Sequence, residues 1–304
     1  MIYYIGFYEL IIILKPILSI CIPTFNRGKE LKRLINSIPK NKNNNNNNIE
    51  LIIVDDGSID NTKQIISEFK KEIDIKYIYQ QNQGRSWALH NAIANANGMY
   101  TLLMDSDDYF IKENFYKLIK DIKYNQKNFK SFACGTLIKK SGETIKNIPK
   151  KEISNFIQLS ADKGFKLDLK EIVCTNLLKI NNYTPKNHCK RVPTQLLWAK
   201  VAEAEDCLCI PYDIAVKEYL PGGMTDNIFN LQMKNIEPLV KLYNLLSVSK
   251  KYISIYFRIK WNILLFRYSF HYKKLNSLKI WQVIFIPIGF LFFCFDKLRL
   301  NFYD

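Results

Sequence analysis

Two apolar runs that end in carboxylates, 51–58 (LIIVDDGS) and 100–108 (YTLLMDSDD), indicate the architecture of this 304-residue chain. Each has the pattern of a buried strand that stops at a polar edge. Acids at the carboxyl ends of neighbouring parallel strands lie where open α/β sheets bind ligands. Closely spaced carboxylates there are also suited to holding a divalent cation against a diphosphate. The two runs therefore predict a metal-assisted site at the edge of a parallel sheet.

The residues around these runs alternate strand and helix patterns. Apolar strands are predicted at 17–22, 50–54 and 75–79, with apolar residues at helical spacing between them. We expect the first strand to stop at Pro23, and the helix before the 100–108 run to end at Gly98 in a left-handed cap. Short loops between alternating strands and helices predict a mostly parallel, Rossmann-like sheet with helices on both faces.

The charge of the chain predicts an anionic partner. Lys and Arg number 44 against 28 Asp and Glu, which gives a net charge of +16, and the 48% hydrophobic content excludes a disordered protein. From residue 250 onward the cations interleave with aromatic residues and face only Asp296 and Asp304. This mixture is typical of a surface that lies against anionic lipid. An RNA-binding surface has a similar composition and is the alternative.

The apolar run 280–295 (IWQVIFIPIGFLFFCF) is shorter than the roughly 20 residues of a spanning helix and contains Pro287. It predicts interfacial or re-entrant insertion, and a buried helix that covers the sheet is the alternative. Residues 1–15 are apolar but lack the features of a signal peptide. They are interpreted as an edge strand, a membrane-touching segment, or residues that do not fold with the domain. The seven scattered cysteines indicate reduced thiols in a cytosolic compartment.

Three ordered motifs carry a resemblance to a known family: 20–27 (ICIPTFNR), 54–58 (VDDGS) and 105–108 (DSDD). In order and spacing they resemble the inverting family 2 glycosyltransferases of the GT-A fold. The resemblance is strong over 18–123 and weak over 134–227. It implies an α/β fold of the GT-A type, followed here by a basic, helical C-terminal appendage.

The resemblance also implies a division of the chain. We expect an apolar extension at 1–15 and a GT-A domain at 16–228. That domain would contain a nucleotide-binding half at 16–130 and an acceptor half at 131–228. Residues 229–304 are expected to form a basic, aromatic region that associates with a membrane.

By similarity to the family, the donor-binding residues would be Pro23, Thr24, Asp56 and Arg85. Pro23 and Thr24 would contact the nucleoside, and Asp56 would accept a hydrogen bond from the uracil imide, which offers one donor to an acceptor-only carboxylate. Arg85 at a helix start would pair with diphosphate oxygens. The alternatives are that Asp56 and its neighbours only shape a turn and cap a helix, and that Arg85 is solvated.

The Asp105-x-Asp107 motif implies a metal site by the same resemblance. Asp107 would ligate Mn²⁺ or Mg²⁺ directly, Asp105 would contact the ribose or a metal-bound water and contribute to the metal site, and Asp108 would support them. Such a metal neutralises the charge that develops on the departing diphosphate. A chance acidic turn after a strand is the alternative.

The chain departs from the family at the general base that an inverting transfer needs. The segment 191–202 resembles the one that usually carries a Glu after the Pro, but Thr194 stands there, and a hydroxyl is no base near neutral pH. His188 and Glu171 are the candidates that remain. The acids that follow are interpreted as part of a solvated helix end: Glu203, Glu205 and Asp206.

The resemblance therefore implies a metal-dependent glycosyltransferase that uses a nucleotide sugar, which we expect to be a uridine diphosphate sugar. Its acceptor would be a glycan or a lipid-linked intermediate of cell-surface polysaccharide or lipopolysaccharide synthesis. The protein would be cytoplasmic, at the inner face of the cell membrane, with no nucleic acid partner. Thr194 motivates a second hypothesis, a catalytically silent relative that binds nucleotide sugar as a partner subunit. Residues 217–225 would close over the donor.

Overall fold

The fold is described from a computed structural model of the chain. It describes residues 15–39, 48–140, 143–150, 152–161, 169–186, 189, 191–218, 228–251, 253–273 and 279–301. The described residues form two compact units. The first contains those within 1–154, 167–190 and 206–220, and the second contains those within 155–166, 191–205 and 221–304.

The strands and helices follow in chain order. The strands are β1 (Leu18–Thr24), β2 (Ile49–Asp55), β3 (Asp74–Tyr79), β4 (Tyr100–Leu103), β5 (Tyr109–Phe110), β6 (Ser131–Lys140), β7 (Glu143–Asn147), β8 (Ile153–Ser154), β9 (Lys170–Cys174) and β10 (Cys207–Glu218). The helices are α1 (Gly28–Ser37), α2 (Thr62–Phe69), α3 (Arg85–Asn95), α4 (Lys112–Asn125), α5 (Phe156–Ala161), α6 (Thr175–Asn181), α7 (Thr194–Ala204), α8 (Ile228–Lys234), α9 (Ile236–Val248), α10 (Ile255–Tyr272) and α11 (Ile286–Asn301), with a 3₁₀ helix at Ile280–Phe285.

The first four strands form the parallel part of the sheet, in the order β3-β2-β1-β4. The prediction that β1 stops at Pro23 is wrong, because the strand continues through Thr24. β4 pairs with β1 no further than Cys21, so a proline at position 23 removes no hydrogen bond from that ladder. Parallel pairing brings the carboxyl ends of these strands to one edge.

Both faces of this parallel part are covered by helices. Alternate residues of β1 and β2 point to opposite faces. Leu18, Ile20 and Ile22 join the core formed with α1, α2 and α4, whereas Cys21 packs with the alanines of α3. The alternation explains why the strands have apolar residues at nearly every position.

The remaining strands extend the same sheet with mixed directions. β9 pairs antiparallel with both β4 and β6, β10 runs parallel to β6, and β5 pairs antiparallel with the end of β10. β6 and β7 form an antiparallel pair, and the predicted turn at Ser141 and Gly142 lies outside the described residues. The irregular second half of the sequence therefore contributes strands to the same sheet in the first unit.

The prediction that Gly98 forms a left-handed helix cap is wrong. Helix α3 ends at Asn95, and Gly98 has no positive φ. A Cβ at Gly98 would lie 2.7 Å from Ser19 Oγ and 2.8 Å from the Ser19 backbone nitrogen. The Gly98 N–H also donates to Glu50 Oε1 at 2.8 Å. Glycine is needed here because the chain passes directly against β1.

The second unit contains the C-terminal helices. α9 and α10 share a small core with Leu239, Val240, Leu265 and Tyr268. The stretch from Ile280 to Arg299 is long and apolar enough, by length and composition alone, to cross a bilayer, and it is the only such helix in the described part of the chain. Only 17% of it is buried. The alternative of a buried helix that covers the sheet is therefore wrong.

We expect Gly98→Ala to lower the free energy of unfolding by about 1–3 kcal/mol, because the added methyl overlaps the β1 backbone, which has no free space to move into. Urea unfolding followed by circular dichroism measures the change. Asn97→Ala is the matched control, because the side chain of Asn97 is exposed and its backbone N–H keeps the bond to Glu50. Equal stability of the two variants would contradict this account of Gly98.

Candidate functional site

The loops after β1 and β2 are bonded to each other at the carboxyl edge of the sheet. The Asn26 N–H donates to Ser58 Oγ at 2.8 Å, and the Ile59 N–H donates to Asn26 Oδ1 at 2.9 Å. Asn26 adopts a φ of 50°, a left-handed conformation that asparagine tolerates. Pro23 and Thr24 form the strand end just before this junction, and Thr24 Oγ1 is buried without a hydrogen-bond partner. A buried hydroxyl without a partner is available to a ligand.

Asp55 is the residue that shapes the turn after β2. Its carboxylate accepts a hydrogen bond from the Ser58 N–H at 2.8 Å and another from the Tyr77 hydroxyl at 2.8 Å. Ser58 does not cap α2, because the side chain that bonds the start of this helix belongs to Asp60. The Asp60 carboxylate accepts the N–H of Thr62, the first residue of α2, at 3.1 Å and the Thr62 hydroxyl at 2.6 Å. The alternative of a turn followed by a helix cap therefore describes Asp55 and Asp60.

Asp56 organises the loop that leads into α3. Its buried carboxylate accepts hydrogen bonds from Gln80 Nε2 at 2.7 Å, the Gln83 N–H at 2.9 Å and the Gly84 N–H at 2.8 Å. Gly84 has a φ of 93°, which glycine adopts without strain. A carboxylate has about four acceptor positions. Three are occupied, so Asp56 retains capacity for about one more donor.

Arg85, the first residue of α3, is bonded to Asp105. Arg85 Nε and Nη2 lie 3.0 Å and 2.5 Å from Asp105 Oδ1. Burial opposes the charge on Asp105, but Arg85 holds the pKa of that carboxyl well below its usual range. The Arg85 side chain is only 28% exposed, so the alternative of a solvated arginine is wrong.

Asp107 is held by two arginines. Its Oδ2 lies 3.1 Å from Arg27 Nη1, and its backbone oxygen accepts a hydrogen bond from Arg33 Nη2 at 2.6 Å. Arg33 also bonds Glu218 at 2.6 Å and lies over the Tyr109 ring. The bond from Arg33 lowers the pKa of Glu218. Arg33 thus connects the loop after β4 to the end of β10.

Asp108 forms a buried ion pair with Lys170, the first residue of β9. The Asp108 Oδ2 and Lys170 Nζ atoms are 2.5 Å apart, and both side chains are buried. Burial raises the pKa of Asp108, and Lys170 opposes that shift. Asp108 Oδ1 is buried without a partner. Asp108 therefore anchors the loop from within the protein.

Sequence reasoning did not identify Lys170 or Arg33 as parts of this site, and it included Glu218 only as a member of the predicted closing segment 217–225. Lys170 carries a weak signal, because it begins a strand, 170–174 (KEIVC), whose last three residues are apolar. The pairing of Arg33 with Glu218 carries none, because the two residues are 185 positions apart in the chain. Arg27 was visible only as the last residue of the first motif.

Among the described residues no group of three or more His, Cys, Asp and Glu side chains forms a preformed metal site. Mg²⁺ is often held by one or two carboxylates together with substrate phosphates and water. Asp105 and Asp107 offer hard oxygen donors, and their side chains are 32% and 30% exposed. This donor set fits a cation that is shared with a diphosphate.

The two candidate bases lie apart from this cluster or outside the described residues. His188 belongs to the residues that are not described. Glu171 follows Lys170 on β9, and consecutive residues of a strand point to opposite faces, so its side chain projects away from the face of Lys170. Thr194 begins α7, in the second unit. Residues 219–225, most of the predicted closing segment 217–225, are also outside the described residues.

Comparison with known proteins places the chain among glycosyltransferase sequences. It is 36% identical to an uncharacterised glycosyltransferase of Mycoplasma genitalium over 126 residues. The aligned region is 38% of this chain and 42% of the relative. The chain is 32% identical over 148 residues, 48% of this chain and 46% of the relative, to the GalNAc(5)-diNAcBac-PP-undecaprenol beta-1,3-glucosyltransferase of Campylobacter jejuni. The chain thus spans less than half the length of these relatives.

Solved structures show the same fold. TarS of Staphylococcus aureus in complex with UDP-GlcNAc matches with a TM-score of 0.59 at 19% identity, over 90% of this chain and 79% of that one. The mannosyltransferase PcManGT of Pyrobaculum calidifontis, in complex with GDP-Man and Mn²⁺, matches with a TM-score of 0.53 at 13% identity, over 98% and 87%. The predicted α/β fold of the GT-A type is confirmed.

The predicted family is confirmed as well. Residues 19–185, more than half of the chain, match the family described as Glycosyl transferase family 2. This range contains β2, β4, all of β1 except its first residue, and the four carboxylates Asp56, Asp105, Asp107 and Asp108. The chain therefore belongs to glycosyl transferase family 2.

Proposed function

We propose that this protein is an inverting glycosyltransferase that moves a sugar from a uridine diphosphate sugar to a glycan or lipid-linked acceptor. Asp105 and Asp107 carry this proposal, because they stand at the carboxyl edge of the sheet with Arg85 beside them. The names of two relatives, a glucosyltransferase acting on an undecaprenol-linked glycan and the TarS poly(ribitol-phosphate) transferase, support a role in cell-surface glycan synthesis.

The nucleoside would bind between the loops after β1 and β2. Asp56 is already fixed by three donors, so its remaining lone pair has a set direction for the uracil imide. Thr24 brings a buried hydroxyl without a partner, and Pro23 precedes it at the strand end. These residues would supply the polar contacts to the base.

The diphosphate would be bound by the arginines that now pair with carboxylates. Arg85 and Arg27 bond Asp105 and Asp107, respectively. Phosphate oxygens are strong acceptors for a guanidinium, and the N-terminus of α3 adds a favourable dipole at Arg85. If the two arginines bonded the diphosphate instead, Asp105 and Asp107 would become available to a cation.

Asp105 and Asp107 would then hold Mn²⁺ or Mg²⁺. When bound, the cation would supply charge neutralisation for the departing diphosphate. Lys170 and Lys217 add positive potential at Asp105 and Asp108. Asp108 would keep its bond to Lys170 and hold the loop in position.

The acceptor hydroxyl would lose its proton to a general base, for which His188 and Glu171 are the candidates that we retain. Thr194 favours a second candidate function, a silent relative that binds nucleotide sugar as a partner subunit. Thr194 has no carboxylate to offer, and it stands at the start of α7 where the family usually has a Glu. Donor binding is common to both functions, and turnover separates them.

We also propose that the protein is peripheral at the cytoplasmic face of the cell membrane. The single acid among residues 250–301, Asp296, is outnumbered by cations throughout this stretch. Anionic lipid attracts such a surface. This location would bring a domain at 16–228, with its nucleotide-binding half at 16–130, to lipid-linked acceptors, while residues 229–304 contact the bilayer.

We expect uridine diphosphate to bind with Mn²⁺ present and to bind at least ten-fold more weakly with chelator, because a cation shared between Asp107 and the diphosphate screens two like charges. Asp107→Ala should remove the effect of Mn²⁺. Isothermal titration calorimetry measures both. Asp74→Ala is the matched control, since Asp74 is an exposed acid at the opposite, amino-terminal end of β3. Absence of binding in all conditions would contradict the donor site.

Arg85→Gln should weaken uridine diphosphate binding roughly 10-fold and reduce the preference for uridine diphosphate over uridine monophosphate, because a charge-assisted hydrogen bond contributes about 1.5–3 kcal/mol. Competition titrations with the two nucleotides measure this preference. Lys123→Gln removes an equal charge from an exposed position on α4 and should leave the preference unchanged. A similar loss in both variants would mean that only net charge matters.

The wild-type protein should release uridine diphosphate from one member of a panel of uridine diphosphate sugars when bacterial lipid-linked glycans are added. Thr194→Glu should not increase the rate, because the proposed enzyme takes its base from another residue. A coupled assay for the released nucleotide measures this. A gain of ten-fold or more in Thr194→Glu would instead support the silent partner subunit.

A further inference from the structure

The C-terminal helices place apolar side chains outward. Along the 3₁₀ helix and α11, Ile280 is 92% exposed, Ile284 is 69% exposed and Phe295 is 59% exposed. The other large apolar side chains exposed on these two helices are Trp281, Val283, Ile288, Phe290, Leu291, Phe292 and Leu298. We call these ten residues the outer face. A cluster of this size on a soluble surface indicates an interaction site.

The first polar side chain of this stretch points inward. Gln282 is fully buried, and its Nε2 donates to Asn262 Oδ1 at 2.8 Å and to Ser247 Oγ at 3.1 Å. Its Oε1 accepts the backbone N–H of Lys279 at 2.9 Å. The polar group of the 3₁₀ helix is thus satisfied within the protein, while its apolar neighbours are exposed.

Asp296 shows the same inversion in α11. It is buried, and its two oxygens lie 2.7 Å and 2.6 Å from Arg267 Nε and Nη2, with His271 Nε2 at 3.0 Å. Asp296 is also the only acid between residues 250 and 301. Its burial removes the one negative charge from this surface.

The charges that remain at the ends of the outer face are positive. Lys279 precedes the 3₁₀ helix, and Lys297 and Arg299 lie in the last turns of α11, all three exposed. Basic residues at the margins of an apolar surface match the phosphates of lipid headgroups. The complement of this surface is apolar in its middle and anionic at its margins.

α11 packs directly against α10 at two places along its length. A Cβ at Gly289 would lie 2.4 Å from Phe266 Cβ and 3.1 Å from the Arg267 backbone nitrogen, so the two helices cross in direct contact. The Arg267–Asp296 pair joins them again seven residues later. A helix held in this way buries the side that contacts α10 and exposes the other.

We propose that the outer face inserts into the boundary between headgroups and acyl chains of an anionic bilayer, with α11 lying in the membrane plane. This inference rests on the proposed membrane location and identifies the surface responsible. Lipid is favoured over a second protein because the charged side chains that the structure describes at the margins are all cations. Apolar insertion and phosphate contacts at those margins act together in such surfaces.

The test is co-flotation with vesicles of phosphatidylglycerol and phosphatidylcholine. Ile284→Asp and Phe295→Asp should each lower the partition coefficient at least ten-fold. Each substitution replaces an apolar side chain that would enter the lipid with a carboxylate, and moving a charged group into lipid is unfavourable. Ile180→Asp is the matched control, since Ile180 is 82% exposed at the end of α6 in the first unit. It should bind vesicles like the wild type.

Fluorescence quenching by dibrominated lipids gives the depth of insertion. We expect quenching in the wild type and its loss in Trp281→Phe. Unchanged partition of Ile284→Asp and Phe295→Asp, or absence of quenching, would overturn the proposal. A protein that does not bind vesicles, and forms an oligomer that the same variants dissociate, would also overturn it in favour of a second copy. Resistance to alkaline carbonate extraction from cells would overturn it in favour of a spanning helix.

The variants also separate this proposal from the proposed enzymatic function. Ile284→Asp and Phe295→Asp should bind uridine diphosphate and Mn²⁺ like the wild type, because both residues lie in the second unit. Vesicle binding by a protein that binds no nucleotide would contradict the donor site and leave the outer face supported.

Discussion

Compensation of charge in the loop after β4 is the constraint on which the site depends. Asp105, Asp107 and Asp108 fall within four residues, and carboxylates this close disfavour each other's ionised form. Each has its own cation from a different part of the first unit: Arg85 from α3, Arg27 from the loop after β1, and Lys170 from β9. The loop can carry three acids only because the surrounding elements bring three cations to it.

The three pairs differ in burial, and this difference divides their roles. The Asp108–Lys170 pair is buried, and removal of either partner would leave an uncompensated charge in the interior. Asp105 and Asp107 are about a third exposed, so their arginines can exchange a carboxylate for an incoming phosphate at modest cost. One pair therefore fixes the loop, and the other two neutralise the acids that the proposed donor site would use.

The sequence predicted those parts of the site that depend only on residues close together in the chain. The apolar runs of β1, β2 and β4 and the acids that follow them are each a short pattern, and their order was enough to recognise the family. Lys170 lies 62 residues from Asp108 and Glu218 lies 185 residues from Arg33, so no periodicity links them. The prediction of a helix cap at Gly98 failed for a related reason. A glycine after a helix suggests a cap, but the neighbour that requires it is Ser19, which only the folded sheet brings close.

The C-terminal region shows why composition alone could not describe its surface. The apolar composition of residues 280–295 is compatible with a helix that covers a core and with one whose apolar side chains face outward. The direction is set by tertiary partners of the few polar groups. Gln282 finds Ser247 and Asn262, and Asp296 finds Arg267. With these groups satisfied inside, the two helices expose the ten apolar side chains of the outer face. An apolar surface bordered by lysine and arginine is suited to a lipid interface.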